Sequence, residues 1–165
     1  GDLRLAVRWA LGLGLGGMAI AFTMTSPQPQ QILPENWVGI AGAHTVGAGD
    51  GGPGLPFLGW STEAGDLRIS HFFGLHALQA LPLLAIVLSL VISNYAARVG
   101  TITGFAVGYG LLVFFTYAQA LLGLSIVDSS TALGLAVILG VGTIVGFGTY
   151  LRRAKTSKHG ATLSA

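Results

Sequence analysis

Four long apolar runs constrain the fold of this chain more than any other feature. They cover roughly residues 9–25, 71–92, 101–125 and 130–150. Each run is close to the ~20 residues with which an α-helix crosses a ~30 Å hydrocarbon layer. A membrane β-strand would be about half as long and would alternate in polarity, which these runs do not. The sequence therefore predicts an all-α integral membrane protein, a four-helix bundle formed as one domain from residues 1–165.

The composition points to the same environment. The chain is 52% hydrophobic and only 8% charged, whereas a soluble domain has about 25% charged residues. We therefore expect most of its surface to contact a lipid bilayer. The absence of cysteine excludes disulfides and thiolate metal sites. The net charge of +2 comes from basic residues at the ends of the runs, so we expect no nucleic-acid partner.

Charge placement predicts the orientation in the membrane. With four spans, seven of the eight Lys and Arg residues fall on one side, and five of the six acids fall on the other. Because cytoplasmic loops collect Lys and Arg, we expect both termini and the tail 151–165 in the cytoplasm. Residues 23–27 form a poor cleavage site, so the first run is not expected to be a removable signal peptide.

The segment 26–70 is predicted to form a structured cap on the outer side. Loops of about this length in compact proteins are usually functional or disordered. This one contains Trp37, Phe57 and Trp60, which need apolar surface to pack against, so we expect order. Residues 37–41 are predicted to form a short interfacial helix or a strand, and the sequence leaves both alternatives open.

Glycines recur at a spacing of four residues within three of the runs. This spacing lets helix backbones approach each other closely in lipid, within the bundle or between subunits. The alternative is that a flat cofactor lies against these glycine-lined faces. The pairs are Gly12 and Gly16, Gly104 and Gly108, and Gly142 and Gly146.

Polar residues cluster at the start of the second run, where they are costly in a membrane and usually functional. Ser61, Thr62 and Asp66 are candidate helix caps. Arg68 can pair with one of three nearby acids (Asp50, Glu63 or Asp66), extend to the interface, or bind an anionic group. The cluster consists of Asp66, Arg68, His71, His76 and Gln79.

His71 and His76 are predicted to lie on different faces of one helix. Five residues separate them by about 140° around an α-helix, so a regular helix does not easily present both to one metal ion. His71 shares a stripe with Arg68, and His76 shares one with Gln79. A third histidine, His44, lies in the predicted outer cap.

These histidines favour a haem or metal site at the outer face. His71, His76 and His44 with Asp66 would suit copper, zinc or iron, and a haem b would take one or two of the histidines as axial ligands. Arg68 would then hold an anionic group, and Gln79 would orient a histidine. The predicted function is a redox or electron-transfer role. Ordinary hydrogen bonding by each histidine is the alternative.

Two other classes of function remain open. The first alternative is a non-enzymatic accessory subunit of a larger membrane complex. The second is a small-molecule transporter or receptor with the cap as its lid. A homo-oligomer is a further candidate assembly. There is no phosphate-binding loop and no Gly-x-Ser-x-Gly elbow. The nearly uncharged runs argue against an ion path through the monomer.

Polar residues also occur near the outer ends of the later runs. Asp128 is predicted to cap the fourth helix. Gln119 and Tyr117 are predicted to lie near Gln79, where Gln119 would bond to another Gln or to backbone across helices.

Three segments resemble a family of small bacterial integral membrane proteins. They are Ala-His-Thr-Val-Gly at 43–47, Asp-Gly-Gly-Pro-Gly-Leu-Pro at 50–56, and Gly-Asp-Leu-Arg at 65–68 running into His-Phe-Phe-Gly-Leu-His-Ala-Leu-Gln at 71–79. The resemblance implies a bacterial inner membrane and a fold with few helices. It implies no activity, substrate or catalytic residue.

Overall fold

A computed structural model describes residues 1–27, 31–33, 35, 39 and 41–162, with the side chains of 156–162 excepted. The helices of this part of the chain confirm the predicted all-α, four-helix fold. They are α1 (Asp2–Thr25), α2 (Leu67–Val91), α3 (Tyr95–Leu121) and α4 (Ser130–Thr162).

All four helices are long and apolar enough to cross a membrane. In the most apolar 18-residue window of each, only 22% to 39% of the residues are buried inside the protein. Large apolar side chains therefore face outward, among them Leu90, Phe114 and Ile144, which are 80%, 68% and 73% exposed. Soluble monomers rarely expose apolar surface on this scale. The structure supports a multi-pass membrane protein surrounded by lipid.

Three helices begin before their apolar runs because polar residues satisfy their first N–H groups. Asp2 Oδ1 accepts the N–H of Leu3 at 3.1 Å in α1. Asp66 Oδ1 accepts the N–H of Arg68 at 3.0 Å in α2, which confirms the predicted cap. Asn94 Oδ1 accepts a backbone N–H at 3.0 Å at the start of α3. The apolar runs mark the lipid-facing part of each helix, and the caps set its beginning.

The C-terminal end of α3 lies earlier than predicted because of a glycine. Gly123 has φ of 73°, its N–H donates to Ala120 O at 2.9 Å, and the N–H of Leu124 donates to Gln119 O at 3.1 Å. These bonds form a Schellman motif, which ends a helix with a left-handed glycine. The prediction that this helix extends to residue 125 is therefore wrong.

At the start of α4, Asp128 Oδ1 accepts both the N–H and the hydroxyl of Ser130, at 2.8 and 2.6 Å. The predicted capping role of Asp128 is confirmed. The helix continues beyond residue 150 to Thr162, so the beginning of the basic tail is helical.

The chain divides into two compact units, and each contains parts of all four helices. The first comprises Gly1–Gly14, His76–Leu111 and Leu135–Ala165, and the second comprises Leu15–Leu75 and Leu112–Gly134. The first unit has a buried core of small and aliphatic side chains, namely Ala6, Ala10, Ala77, Leu81, Ala85, Leu88, Ile102 and Ala106.

Glycine contacts join α3 and α4 within the first unit. A Cβ placed on Gly146 would lie 2.9 Å from Gly100 O and 3.2 Å from Gly104 Cα, and one on Gly142 would lie 2.9 Å from Gly104 O. Close backbone approach is thus confirmed for two of the three predicted glycine pairs. The third pair is different, because a Cβ on Gly12 or Gly16 meets nothing within 4 Å in the described part of the chain.

The second unit contains the described part of the predicted cap, which includes a short pair of strands. Strand β1 (Thr45–Val46) pairs antiparallel with β2 (Gly65–Asp66). The N–H of Ala43 donates to Met24 O at 2.9 Å, so the cap is bonded to the end of α1. Of the predicted interfacial segment 37–41, residues 37, 38 and 40 lie outside the described residues.

Candidate functional site

Asp66 is the centre of a buried hydrogen-bond network in the second unit. Its side chain is 0% exposed and contacts Arg68 Nη2 at 2.6 Å. Its Oδ2 also accepts the N–H of Ser61 at 2.9 Å, and its Oδ1 accepts Arg68 Nε at 3.0 Å. Arg68 Nη2 in turn donates to Gly59 O at 2.6 Å. One carboxylate thus joins the cap, strand β2 and the start of α2.

The environment favours the charged form of Asp66. Burial alone would raise the pKa of this carboxyl, but the hydrogen bonds from the Arg68 guanidinium and from the N–H groups of Ser61 and Arg68 outweigh it. The net result is a pKa below the usual value. The carboxylate is therefore a stable anion, and its acceptor sites are already used by protein donors.

His44 forms a separate polar contact in the cap, with Asp50. Its Nδ1 contacts Asp50 Oδ1. Asp50 also accepts the N–H of Thr45 at 2.8 Å and that of His44 at 3.3 Å. Burial would raise the pKa of Asp50, but the bonds from Thr45 and the neighbouring His44 lower it overall. This arrangement closes the turn that follows β1.

His71 lies on α2 against α1 in the second unit and is partly buried. Its Nδ1 donates to the carbonyl of Gly17 at 2.7 Å. The helices approach closely here, since a Cβ on Gly17 would lie 2.7 Å from the backbone of Gly74. A carbonyl oxygen can only accept, so in the neutral ring the proton is on Nδ1 and Nε2 retains its lone pair.

His76 and Gln79 are exposed on α2 in the first unit. They are three residues apart and therefore neighbours on the helix surface. Leu83, one turn further along, is 61% exposed on the same side. The prediction that His76 and Gln79 share a face agrees with this placement.

Aromatic side chains pack between the cap and the first turns of α2. The ring of Trp60 lies 5.6 Å from that of Phe72 and 6.1 Å from that of Phe73, centroid to centroid. Phe72 and Phe73 are themselves 5.6 Å apart at 82°. Edge-to-face geometry of this kind is favourable, so the cluster adds apolar attachment to the polar network.

Gln119 connects the ends of α3 and α4 rather than marking a ligand site. Its Nε2 donates to Ser125 O at 2.9 Å and to Thr131 Oγ1 at 2.7 Å. The hydroxyl of Ser125 donates to Ser61 O at 3.2 Å, which extends the bonding to the cap. The backbone bond of Gln119 is thus made to the turn after α3 rather than across helices as predicted, and its bond to α4 is to the Thr131 side chain. The roles of Ser125 and Thr131 were missed, since short hydroxyl side chains give no distinctive sequence signal.

No metal site of three or more ligands is formed by His, Asp or Glu among the described residues. The structure does not gather the four predicted metal ligands His71, His76, His44 and Asp66 into one such group. Asp66 and Arg68 bond to each other, His44 bonds to Asp50, and His71 bonds to Gly17. Of these side chains, the geometry is most compatible with ligation at His71, whose Nδ1 bond leaves a lone pair on Nε2.

Comparison of the chain with models of protein families, with curated proteins and with solved structures gave no match. The resemblance to a bacterial membrane family stays a prediction.

Proposed function

We propose that this protein binds a haem b group, or a transition metal ion in its place, through a histidine of α2 and takes part in electron transfer. The observation that supports this most is the 2.7 Å bond from His71 Nδ1 to the carbonyl of Gly17. Metal-ligating histidines almost always donate their other ring N–H to a carbonyl, carboxylate or water, which sets the tautomer and the ring orientation. His71 has this arrangement on two packed helices.

The other predicted ligands rank below His71. His76 is the second candidate, because it lies exposed on α2 with Gln79 on the same face. His44 ranks third, because its Nδ1 contacts Asp50. Arg68 is the weakest candidate for binding a propionate, because its Nε and Nη2 donate to Asp66 and Gly59.

An absorbance spectrum of the detergent-extracted protein tests this proposal. We expect a Soret band that is lost in His71→Ala and restored by added imidazole, which can occupy the vacated position. His71→Asn is a matched control, because its amide can still donate to Gly17 O but cannot replace the imidazole as an axial ligand. It should be stable and colourless.

A wild-type sample without a Soret band and without bound copper, iron or zinc would overturn the proposal. So would a His71→Ala variant that keeps its spectrum, unless His76→Ala loses it, which would move the ligand to the second candidate.

A second candidate function is that of an accessory subunit in a larger membrane complex or homo-oligomer. It is favoured by the exposure of His76 and Gln79 on a membrane-spanning helix, since polar groups at this depth usually face protein or water rather than lipid. A photocrosslinker at Leu83, which is 61% exposed on the same face, should capture another chain. One at Ile144, which is 73% exposed on α4, is the control. Equal capture at the two positions would argue against a specific interface.

The proposed location is a bacterial inner membrane with both termini in the cytoplasm. Four candidate spans, an even number, support an arrangement with the two ends of the chain on one side. The basic residues that accompany those ends support the cytoplasmic assignment by the positive-inside rule.

A further inference from the structure

We propose that α1 binds one anionic phospholipid in a groove on its outward surface. The groove has a volume of about 220 Å³ and is lined by Leu5, Arg8, Trp9, Gly12 and Leu13. These positions follow one side of the helix over about 12 Å. All of them belong to the first unit, and the site is independent of the proposed haem.

The polar end of the groove suits a phosphate. Arg8 is exposed, and Arg4 is exposed one turn before it. In the part of the chain that the structure describes, neither arginine forms an ion pair. Asp2, the acid on this side, is instead bonded to Arg98, with Nε to Oδ2 at 2.6 Å. The two guanidinium groups therefore keep their charge available for an anionic headgroup, which arginine can bind through two hydrogen bonds.

Trp9 defines the depth of the site. It is partly buried and packs on the apolar core together with Leu5 and Leu13. The side chains that line the groove are therefore held in position by the core. Indole rings favour the headgroup level of a bilayer, where the indole N–H can donate to a lipid oxygen. A phosphate on Arg8 and a donor from Trp9 would place the headgroup at this level.

The apolar end of the groove has room for an acyl chain. Gly12 is exposed, and a Cβ placed there meets nothing within 4 Å among the described atoms. Gly104 and Gly146, in contrast, are used in contact between α3 and α4. The combination of paired positive charge, an interfacial indole and an open apolar channel is complementary to a phospholipid with a net negative headgroup.

Native mass spectrometry of the purified full chain, titrated with phosphatidylglycerol or phosphatidylcholine, tests the proposal. We expect one phosphatidylglycerol to be retained in preference to phosphatidylcholine. Arg8→Gln should weaken retention by about fivefold, the effect of one basic residue near a charged membrane surface. Arg153→Gln removes the same charge from the exposed end of α4 and should retain the lipid as the wild type does.

The apolar half of the site has its own matched pair of variants. Gly12→Leu fills the groove and should lower retention, whereas Gly140→Leu places the same side chain in open space on α4 and should not. Size-exclusion profiles and helicity equal to those of the wild type establish that each variant folds. Equal losses in Arg8→Gln and Arg153→Gln, or unchanged retention in Gly12→Leu, would overturn the proposal. Equal wild-type retention of the two lipids would also overturn it.

Discussion

At the scale of single residues, a network of polar groups in the second unit holds the cap in place. Asp66, in β2, accepts bonds from the cap and from the start of α2, and Arg68 links it to Gly59. The sequence predicted Asp66 as a cap and Arg68 as a partner of a nearby acid, and both are correct. It did not select Asp66 from the three available acids, because that choice depends on how the cap folds back.

The Asp66–Arg68 pair is predicted to stabilise the folded protein. Asp66→Asn has one acceptor oxygen, whereas the carboxylate uses two. We therefore expect the free energy of unfolding in detergent to fall by about 2 kcal/mol. This lies below the usual range for a broken buried pair because Arg68 is partly solvated. Asp50→Asn is the control. Because the Asp50 side chain is 42% exposed, this variant should lower the free energy of unfolding by less than Asp66→Asn does. Equal losses in the two variants would contradict the assignment.

Because the Asp66 carboxylate holds the cap, we expect the stability of the cap to decrease in acid. The folded pKa of Asp66 is lowered by its Arg68 and backbone donors, which outweigh burial. The stability that it contributes is therefore complete above the unfolded value of about 3.9 and is lost as pH falls through the lower folded pKa.

Amide hydrogen exchange at Ser61 reports directly on the protonation of Asp66, because the Ser61 N–H donates to the Asp66 carboxylate. After correction for intrinsic exchange rates, its protection should be constant from neutral pH to about pH 5 and decrease below about pH 4. Protection that is lost near neutral pH, or an acid-dependent decrease that remains the same in Asp66→Asn, would exclude this explanation.

At the scale of helices and strands, the apolar runs predicted which segments cross the membrane, and local chemistry sets where each helix ends. Gly123 ends α3 through its left-handed conformation, a signal that is present in the sequence but that apolar content does not register. Glycine spacing predicted close approach at three pairs. Only the tertiary structure shows that Gly104 and Gly146 are in contact, whereas Gly12 faces outward.

Two glycines of α4 provide a test of this contact. Gly146→Ala would place a Cβ 2.9 Å from Gly100 O, so α3 and α4 must separate, at a cost of about 1–3 kcal/mol. Gly148→Ala meets nothing within 4 Å and should be neutral or slightly stabilising. Detergent or SDS unfolding of the two variants measures the difference. A Gly148→Ala variant that is as destabilised as Gly146→Ala would show that helix packing is not the cause.

At the scale of the whole molecule, four spans require both ends of the chain on one side of the membrane. Residues 1–165 contain no cysteine, so single cysteines can be introduced here without further changes. Ala48 is exposed in the cap, and Leu3 and Lys155 are exposed near the two ends. An impermeant maleimide added to intact spheroplasts should label Ala48→Cys only. Labelling of Leu3→Cys or Lys155→Cys before lysis would contradict the predicted orientation.

The sequence by itself determined the membrane fold and the number of helices, because burial in lipid requires long continuous apolar runs that few other folds contain. Helix caps such as Asp66 were also within its reach, because capping depends on neighbours a few residues away. Only the tertiary structure decided which polar groups bond across long separations, as Ser125 does with Ser61 and His71 does with Gly17. Such pairs depend on how distant segments meet, and residue type alone does not specify that geometry.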